Sequence, residues 1–422
     1  MLVEFRVLNH RSLRTEQALT FESSRSGSAD DGVTPPDHKL LTVAALYGAN
    51  ASGKSNVLAA LNFMRDAVYL SHRIWEPNDG VPRDPFAWGV DVHAPSLFEV
   101  TLNLNGVRYQ YGFVADNHRF LEEWLYAWPR GRKQKWFTRD RDSFKFGEHF
   151  SGENELVRQV TRPNALFLSA GVQHRHGQLA PIYNWFHSIG LVNMALRERH
   201  NAFFAERWLA RNLKAQRVPA QGSLFGDDER DTGGAVFQSF MDLLRAADMG
   251  IVDLRLESDE VGGDRPPFSR SRVSVRHAYS TGDAWLSLSD ESRGTLAMFA
   301  IGPVLLTALH RGGLVVVDEL EASLHPLLAL HIVRIFGDPS QNPHNAQLLF
   351  ATHDTHLLGT IAGETPLRRD QVWLTEKDNE GATCVYPLTD YKPRKDENLE
   401  RGYLQGRYGA IPFLGALAPV SE

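Results

Sequence analysis

The stretch GANASGKS (48–55) has the form G-x-x-x-x-G-K-S, which is typical of a loop that binds phosphate. In this form the glycines let backbone N–H groups face phosphate oxygens, the lysine adds positive charge, and the serine hydroxyl suits Mg²⁺. The apolar run LLTVAALY (40–47) precedes the stretch, and SNVLAALNFMRDAVYLSH (55–72), with apolar residues at helical spacing, follows it. Since strand, loop and helix occur in the required order, the sequence predicts a nucleoside triphosphate site at the start of a helix.

Two apolar strands farther along the chain end in polar residues that suit the same chemistry. LVVVDE (314–319) ends in two carboxylates, of which Asp318 fits a Mg²⁺ shell and Glu319 fits the orientation or deprotonation of an attacking water. QLLFATHD (347–354) ends near His353, which fits a hydrogen bond to the γ-phosphate or to that water. The alternatives are a buried strand with a solvated acidic turn and a histidine with a local partner.

A third motif precedes the acidic strand. LSDESRGTLAMF (288–299) places Ser292 and Gly294 ahead of an apolar helix, where backbone N–H groups bind anions. An ordinary capped helix would have the same small residues, so both interpretations stay open at this point.

Composition narrows the class of protein. The chain has 422 residues, 42% hydrophobic residues and a net charge of −6, which argues against indiscriminate coating of nucleic acid. Its one cysteine, Cys384, excludes an intramolecular disulfide and a cysteine-based zinc site and fits a reducing compartment. The start MLVEFRVLNHRSL lacks the apolar core of a signal peptide, and LAMFAIGPVLLTAL (296–309) is interpreted as too short to span a bilayer. We therefore expect a cytoplasmic protein with no membrane partner.

The remaining organisation follows from local patterns. Strand-like segments between 97 and 150 predict an antiparallel lobe, and a helical segment is predicted from about 180 to 215. GAVFQSFMDLLRAAD (234–248) is predicted to be a helix. Loops are predicted over three stretches rich in Gly, Pro, Ser and Asp, namely 24–39, 218–234 and 258–271.

Three further segments each allow two interpretations, one as a binding site and one as an ordinary structural element. RGRKQKWFTRDR (130–141) could hold a phosphate backbone and stack bases on Trp136 and Phe137, or it could be a solvated hairpin. His174 and His176 suggest a metal, but a polar loop after a glutamine-bearing strand is the expected structure. The tail 390–415 is either a docking segment or a cover over the core.

Together, GANASGKS, NALFLSAGVQ (164–173), ESRGT (291–295), VVVDELEASLHP (315–326) and LLFATHD (348–354) resemble, in this order, the ABC-type ATPase heads of the SMC, Rad50 and RecF group. The sequence is most similar to smaller AAA-type ATPases of bacterial abortive-infection and restriction-linked operons. That resemblance also rests on the opening FRVLNHRS, the segment FEVTLNLNGVRYQYGF and the tail with YLQGRYGAIPF. It implies an α/β fold: an ABC-type P-loop ATPase head with a mixed central sheet, an antiparallel β lobe and an inserted helical region.

The resemblance also implies roles for individual residues. Catalysis is expected of Glu319 as base, His353 as switch histidine and Gln173 as the loop glutamine that touches Mg²⁺ and the attacking water. The metal is expected on Ser55, Gln173 and Asp318. The residues expected to bind ATP are Gly48, Asn50, Gly53, Lys54, Ser55, Asn56, Arg11 and Ser12, with Ser292 and Gly294 serving the nucleotide of the opposite subunit. The signature differs from the transporter form, with Arg293 in place of glycine and Thr295 in place of glutamine.

In such heads ATP and Mg²⁺ join two subunits, and the loop EASLHP (321–326) crosses their interface. The resemblance therefore implies an ATP-dependent homodimer or higher oligomer that controls an effector, such as a TOPRIM-type nuclease, in anti-phage defence, with DNA or a phage product as trigger. The alternative is a DNA-binding ATPase of the RecF and Rad50 kind in DNA repair or maintenance. The expected domains are lobe I (1–180), a helical insertion (181–285) and lobe II (286–422).

Overall fold

The computed structural model describes residues 1–24, 40–193, 208–209, 229–247, 250–258, 271–280, 284–360, 365–394 and 397–412. The chain forms two compact units, one of Met1–Ile189 with Gln347–Glu422 and the other of Gly190–Ala346. The sequence-based division into 1–180, 181–285 and 286–422 stays a prediction.

The first unit contains a seven-stranded antiparallel sheet in the order β2-β1-β4-β5-β6-β7-β8. Its strands are β1 Leu2–Leu8, β2 Gln17–Thr20, β4 Ser96–Leu104, β5 Val107–Ala115, β6 Phe120–Trp128, β7 Gln134–Asp140 and β8 Ser143–Phe146. The tight turn between β4 and β5 is Asn105–Gly106, and both residues have positive φ, 52° and 78°. Asn-Gly suits such a two-residue hairpin turn. The predicted antiparallel lobe is confirmed, and the N-terminal strands join it.

A second sheet of the same unit carries the phosphate-loop motif. Within this unit the strand order is β16-β15-β3-β14, with β14 and β15 parallel to β3 and β16 antiparallel to β15. The strands are β3 Val43–Gly48, β14 Gln347–Ala351, β15 Val372–Lys377 and β16 Thr383–Pro387. Every residue of β3 is buried, as expected of a parallel strand covered on both faces. The predicted mixed sheet is confirmed.

Helices complete the first unit. They are α1 Lys54–Leu70, α2 Asn154–Val160, α3 Phe167–Gln173, α4 Ala180–Ser188 and α8 Leu399–Leu404. Helix α1 buries Val57, Leu61, Met64 and Val68, whose spacing places them on one face. Short 3₁₀ helices lie at Gly89–Val92, Thr355–Leu358, Arg369–Gln371 and Leu388–Tyr391.

The second unit combines a parallel strand pair with a small antiparallel sheet. Strand β9 (Gly190–Asn193) pairs in parallel with β13 (Leu314–Asp318). Strands β10 Ile251–Ser258, β11 Ser271–His277 and β12 Leu286–Ser287 form the antiparallel sheet. The helices are α5 Glu229–Ala246, α6 Arg293–Arg311 and α7 Pro326–Gly337, with a 3₁₀ turn at Leu288–Asp290.

Three sequence predictions need correction here. The helix predicted from 180 to 215 ends at Ser188, because the apolar residues of β9 pair with β13 instead of continuing the helix. The loop predicted over 218–234 gives way to α5 at Glu229, and 218–228 lie outside the described residues. NALFLSAGVQ ends in helix α3, not in a strand. Most of the predicted loops 24–39 and 258–271 also lies outside the described residues.

Helix α6 corrects the prediction about membrane-spanning length. By length and composition the 19 residues Arg293–Arg311 are sufficient to cross a bilayer, whereas the apolar run 296–309 within them has only 14 residues. However, 72% of its most apolar window is buried inside the protein. The core helices of globular proteins can have the same length and composition, because they too are apolar on most faces.

Candidate functional site

The phosphate-binding loop connects the buried strand β3 to α1. Gly53 is the N-cap residue of α1 and has φ of 110°, a conformation that side chains rarely adopt. The N-terminal turn of α1 leaves backbone N–H groups without partners inside the helix, and these favour an anion. Loop geometry and sequence motif therefore agree, and the loop fits a nucleotide phosphate.

Lys54 lies inside this loop. Its side chain is buried, and its Nζ donates to the Gly48 carbonyl at 2.8 Å and to the Ala49 carbonyl at 3.2 Å. The Nδ1 atom of His353, which follows β14, lies 3.5 Å from Lys54 Nζ. The fold therefore brings His353 to the lysine of the loop although the two are far apart in the sequence.

The other loop residues of the predicted site lie around the start of α1. Asn50 and Ser55 are exposed, so both side chains are accessible to a ligand. Asn56 Nδ2 donates to Ser12 Oγ at 2.7 Å, which ties the first turn of α1 to the turn after β1. Arg11 is exposed and has φ of 51°, and its side chain pairs with Asp84 at 3.2 Å. The N-terminal turn thus lies beside the loop.

Two threonines that contact the loop were missed by sequence reasoning. Thr375 on β15 and Thr383 on β16 are both fully buried, and each bonds to Ser52 of the loop. Threonine is common in strands, so nothing in the sequence around either residue could have indicated the contact.

His10 lies one residue before Arg11 and is fully enclosed. Its ring packs between Phe63, with centroids 5.7 Å apart, and Phe98, at 5.5 Å. Neither ring nitrogen has a hydrogen-bond partner among the described residues. Burial, aided by the positive charge of Arg11 and opposed by Asp84, lowers the pKa of His10 to about 4. The ring is therefore neutral at physiological pH.

Within the first unit, Gln173 lies away from the phosphate-binding loop. It ends α3, and the ring of the next residue, His174, lies 5.9 Å from that of His72, three residues after Tyr69 at the end of α1. Since an α-helix rises about 1.5 Å per residue, Tyr69 lies about 22 Å along the axis from Lys54. The expected contact of Gln173 with Mg²⁺ and the attacking water is corrected, because its neighbours lie at the opposite end of α1.

In the second unit, the two carboxylates lie where β13 ends. Asp318 is the last residue of β13 and Glu319 follows with φ of 58°. A left-handed glutamate is uncommon, and such residues often occur at functional sites. The chain then turns tightly, with the Ala322 N–H donating to the Glu319 carbonyl at 2.9 Å, before α7 begins. Both side chains are partly exposed, which is compatible with contact to a ligand.

The signature residues lie beside the loop that follows Glu319. The Oγ of Ser292 caps α6 by accepting the Thr295 N–H at 3.2 Å. A Cβ atom on Gly294 would lie 3.2 Å from the Ser323 carbonyl, so glycine keeps the helix start close to loop 321–326. Ser292 therefore acts as a helix cap, and its exposed position leaves room for an anion as well.

The alternative patches receive less support. Trp136 is only 6% exposed and Phe137 is fully buried, so neither ring can stack on a base. His176 is buried, bonds to Asn154 and stacks on Phe150 at 4.6 Å. Among the described residues no group of three or more His, Cys, Asp or Glu side chains could hold a metal ion. Mg²⁺ at a nucleotide needs fewer protein ligands, because phosphate oxygens and water complete its shell.

Comparison with known proteins gives a family and a set of distant structural likenesses. The chain resembles an SmcHead bound to the C-winged helix domain of ScpA, with 13% identity, a TM-score of 0.46 and coverage of 91% of this chain and 96% of that one. It also resembles the SMC head domain from Thermotoga maritima, with 14% identity, a TM-score of 0.39 and coverage of 92% and 98%. No curated protein matches the sequence.

The family model covers the loop, Asp318, Glu319 and His353. It matches residues 43–359, which is more than half of the chain. This range runs from the strand before the phosphate-binding loop to the segment after His353. The chain therefore belongs to the family described as "AAA domain, putative AbiEii toxin, Type IV TA system".

Proposed function

We propose that the protein is a Mg²⁺-dependent ATPase that converts ATP to ADP and phosphate. The observation that carries the proposal is the loop with Lys54 buried at its carbonyls and His353 Nδ1 3.5 Å from the lysine amine. A phosphate group in this loop would be met by backbone N–H groups and a positive charge. Membership of an AAA family supports the same activity.

The roles of the remaining residues are part of the proposal. Gly48, Asn50, Gly53, Asn56, Arg11 and Ser12 line the nucleotide. Ser55 and Asp318 supply oxygen ligands to Mg²⁺, which neutralises charge on the phosphates. Glu319 takes a proton from the attacking water, and His353 hydrogen-bonds the water or the γ-phosphate. These residue types fit the chemistry, since carboxylate and hydroxyl oxygens are the ligands that Mg²⁺ prefers.

We further propose that ATP drives self-association of the protein. Ser292 is exposed, Gly294 lies against Ser323 of the loop 321–326, and Ser323 and His325 are exposed as well, which suits contact with a nucleotide held by another copy. ATP has a γ-phosphate that ADP lacks, so the two nucleotides favour the associated state to different degrees. The associated protein controls an effector in anti-phage defence, such as a TOPRIM-type nuclease, in response to DNA or a phage product. The family description, which names an AbiEii toxin, supports a role of this class. We place this role in the cytoplasm, because a chain with one cysteine fits a reducing compartment.

Phosphate release from ATP with Mg²⁺ tests the proposed activity. Lys54→Ala removes the buried amine of the loop, and we expect a rate about a hundredfold below wild type. Lys145→Ala is the matched control, because Lys145 is exposed on β8, away from the loop. A Lys54→Ala variant that releases phosphate at the wild-type rate would overturn the proposed site.

A further inference from the structure

We propose that Thr375 and Thr383 are positioning residues that hold the phosphate-binding loop in the geometry that binds ATP. The inference rests on the proposed function of the loop. Both threonines belong to the hairpin formed by β15 and β16, which follows all the nucleotide-binding residues in the sequence. The hairpin would control nucleotide affinity through the loop that its two threonines hold.

Thr383 fixes the loop through a chain of buried hydrogen bonds. Its Oγ1 donates to the Ser52 carbonyl at 2.8 Å. Because its one hydrogen is used there, Ser12 Oγ must donate to Thr383 at 2.7 Å, and Ser12 in turn accepts from Asn56 Nδ2 at 2.7 Å. The bonds therefore run in one direction from Asn56 through Ser12 and Thr383 to Ser52. This chain links the first turn of α1 to the loop residue just before Gly53.

Thr375 contacts the side-chain hydroxyl of the same loop residue, Ser52. Its Oγ1 donates to the Tyr47 carbonyl at 3.2 Å, so the contact of 2.6 Å with Ser52 Oγ has Ser52 as donor. Ser52 and Thr375 are both buried, and a buried hydroxyl without a partner is costly. Ser52 is thus held at its carbonyl by one threonine and at its hydroxyl by the other.

The two glycines of the motif pack directly on these threonines. A Cβ on Gly53 would lie 2.1 Å from Thr383 Oγ1, and a Cβ on Gly48 would lie 2.3 Å from Thr375 Oγ1. Each glycine therefore lets the loop backbone approach one threonine of the hairpin. Since a loop already fixed in its bound shape loses less entropy on binding, these contacts should strengthen nucleotide affinity.

The test is binding and hydrolysis of ATP by Thr383→Val, which keeps the shape of the side chain and removes the hydroxyl. We expect the Kd for ATP and for ADP to rise about tenfold, from loss of one structural hydrogen bond and the unpaired groups left behind. KM for ATP should rise by a similar factor, while phosphate release at saturating ATP stays within about twofold of wild type, because the reacting groups are unchanged.

Two further variants separate positioning from general stability. Thr383→Ser keeps the hydroxyl and should bind ATP with wild-type affinity. If Thr383 only stabilised the fold, every variant would bind ATP with wild-type affinity at temperatures below its melting temperature. Thr101→Val is the matched control, since Thr101 is a buried strand residue with no side-chain hydrogen bond among the described residues. If Thr383→Val fails to fold, Thr375→Val takes its place with the same expected loss.

The possible results separate the role of the two threonines from the ATPase activity of the protein. Wild-type affinity in both Thr383→Val and Thr375→Val would overturn the inference while leaving the ATPase proposal intact. An equal loss in Thr383→Ser and Thr383→Val would also overturn it, because the hydroxyl would then not be responsible. A wild-type protein that binds no ATP would overturn the proposed function and this inference together.

Discussion

Replacing Glu123 with glutamine tests how the first unit is held together around the buried carboxylate of this residue. Glu123 on β6 is fully buried, and its Oε2 accepts the Phe167 N–H at 2.7 Å while its Oε1 accepts the Leu168 N–H at 3.0 Å. Tyr111 donates its hydroxyl to Oε1 at 3.0 Å, and the buried Arg139 guanidinium lies 3.7 Å from Oε2. The carboxylate thus caps α3 and balances a buried cation.

The magnitude follows from these partners. Glutamine has nearly the same shape but one acceptor oxygen, so at least one donor loses its partner, and Arg139 keeps its hydrogen bonds to backbone carbonyls but loses its buried counter-charge. Breaking a buried ion pair on one side costs about 3–5 kcal/mol, and an unsatisfied buried donor costs about 1–3 kcal/mol within such a total. We therefore expect Glu123→Gln to lower the free energy of unfolding by about 3–5 kcal/mol.

The assay is urea unfolding at neutral pH, followed by tryptophan fluorescence. The matched control is Glu155→Gln, which removes an exposed carboxylate paired with Arg158 and should leave stability unchanged. A Glu123→Gln variant within about 1 kcal/mol of wild type would refute the argument, because a carboxylate with these partners cannot be replaced at so small a cost.

Three further predictions concern the loop and its surroundings. Between pH 6.5 and about 4 His10 is protonated in the unfolded chain but not in the folded protein, so the free energy of unfolding falls as the pH falls. His10→Phe should remove up to about 3 kcal/mol of this loss in acid unfolding curves. Identical curves for the variant and the wild type would contradict this prediction. Gly53→Ala places a Cβ against Thr383 Oγ1 at φ of 110° and should weaken ATP binding, measured by calorimetry, at least tenfold, whereas unchanged affinity would show that the loop adapts freely. Ser292→Ala removes the cap of α6 and should lower the free energy of unfolding by about 1 kcal/mol, so an unaltered urea midpoint would mean the cap is unimportant.

Local pattern was sufficient to predict the elements that carry the phosphate chemistry. The apolar strand, the glycine loop and the amphipathic helix are contiguous, so their order in the sequence is their order in space. The antiparallel lobe was predicted for the same reason, since its strands alternate with period two and are joined by short turns such as Asn105–Gly106.

Contacts between distant segments could not be predicted in this way. The position of Gln173 depends on how α3 packs near the end of α1, and nothing local indicates that the next residue, His174, packs on His72. Trp136 and Phe137 look like an exposed aromatic pair beside basic residues, but Trp136 packs on Tyr109 and Phe137 on Phe167. These two side chains point to opposite faces of one strand, and both faces are covered there.

We propose that ATP drives an association of the protein that hydrolysis reverses, and the native mass of Glu319→Gln is the measurement that we would make first. Glutamine keeps the shape of Glu319 but cannot take a proton from water. With ATP and Mg²⁺ we expect the variant to form a dimer or larger assembly that persists, while phosphate release falls far below wild type. Without nucleotide the variant should match the wild type in mass. A variant that hydrolyses ATP as fast as wild type would show that Glu319 is not the base, and one that has the same mass with and without ATP would show that ATP does not drive association.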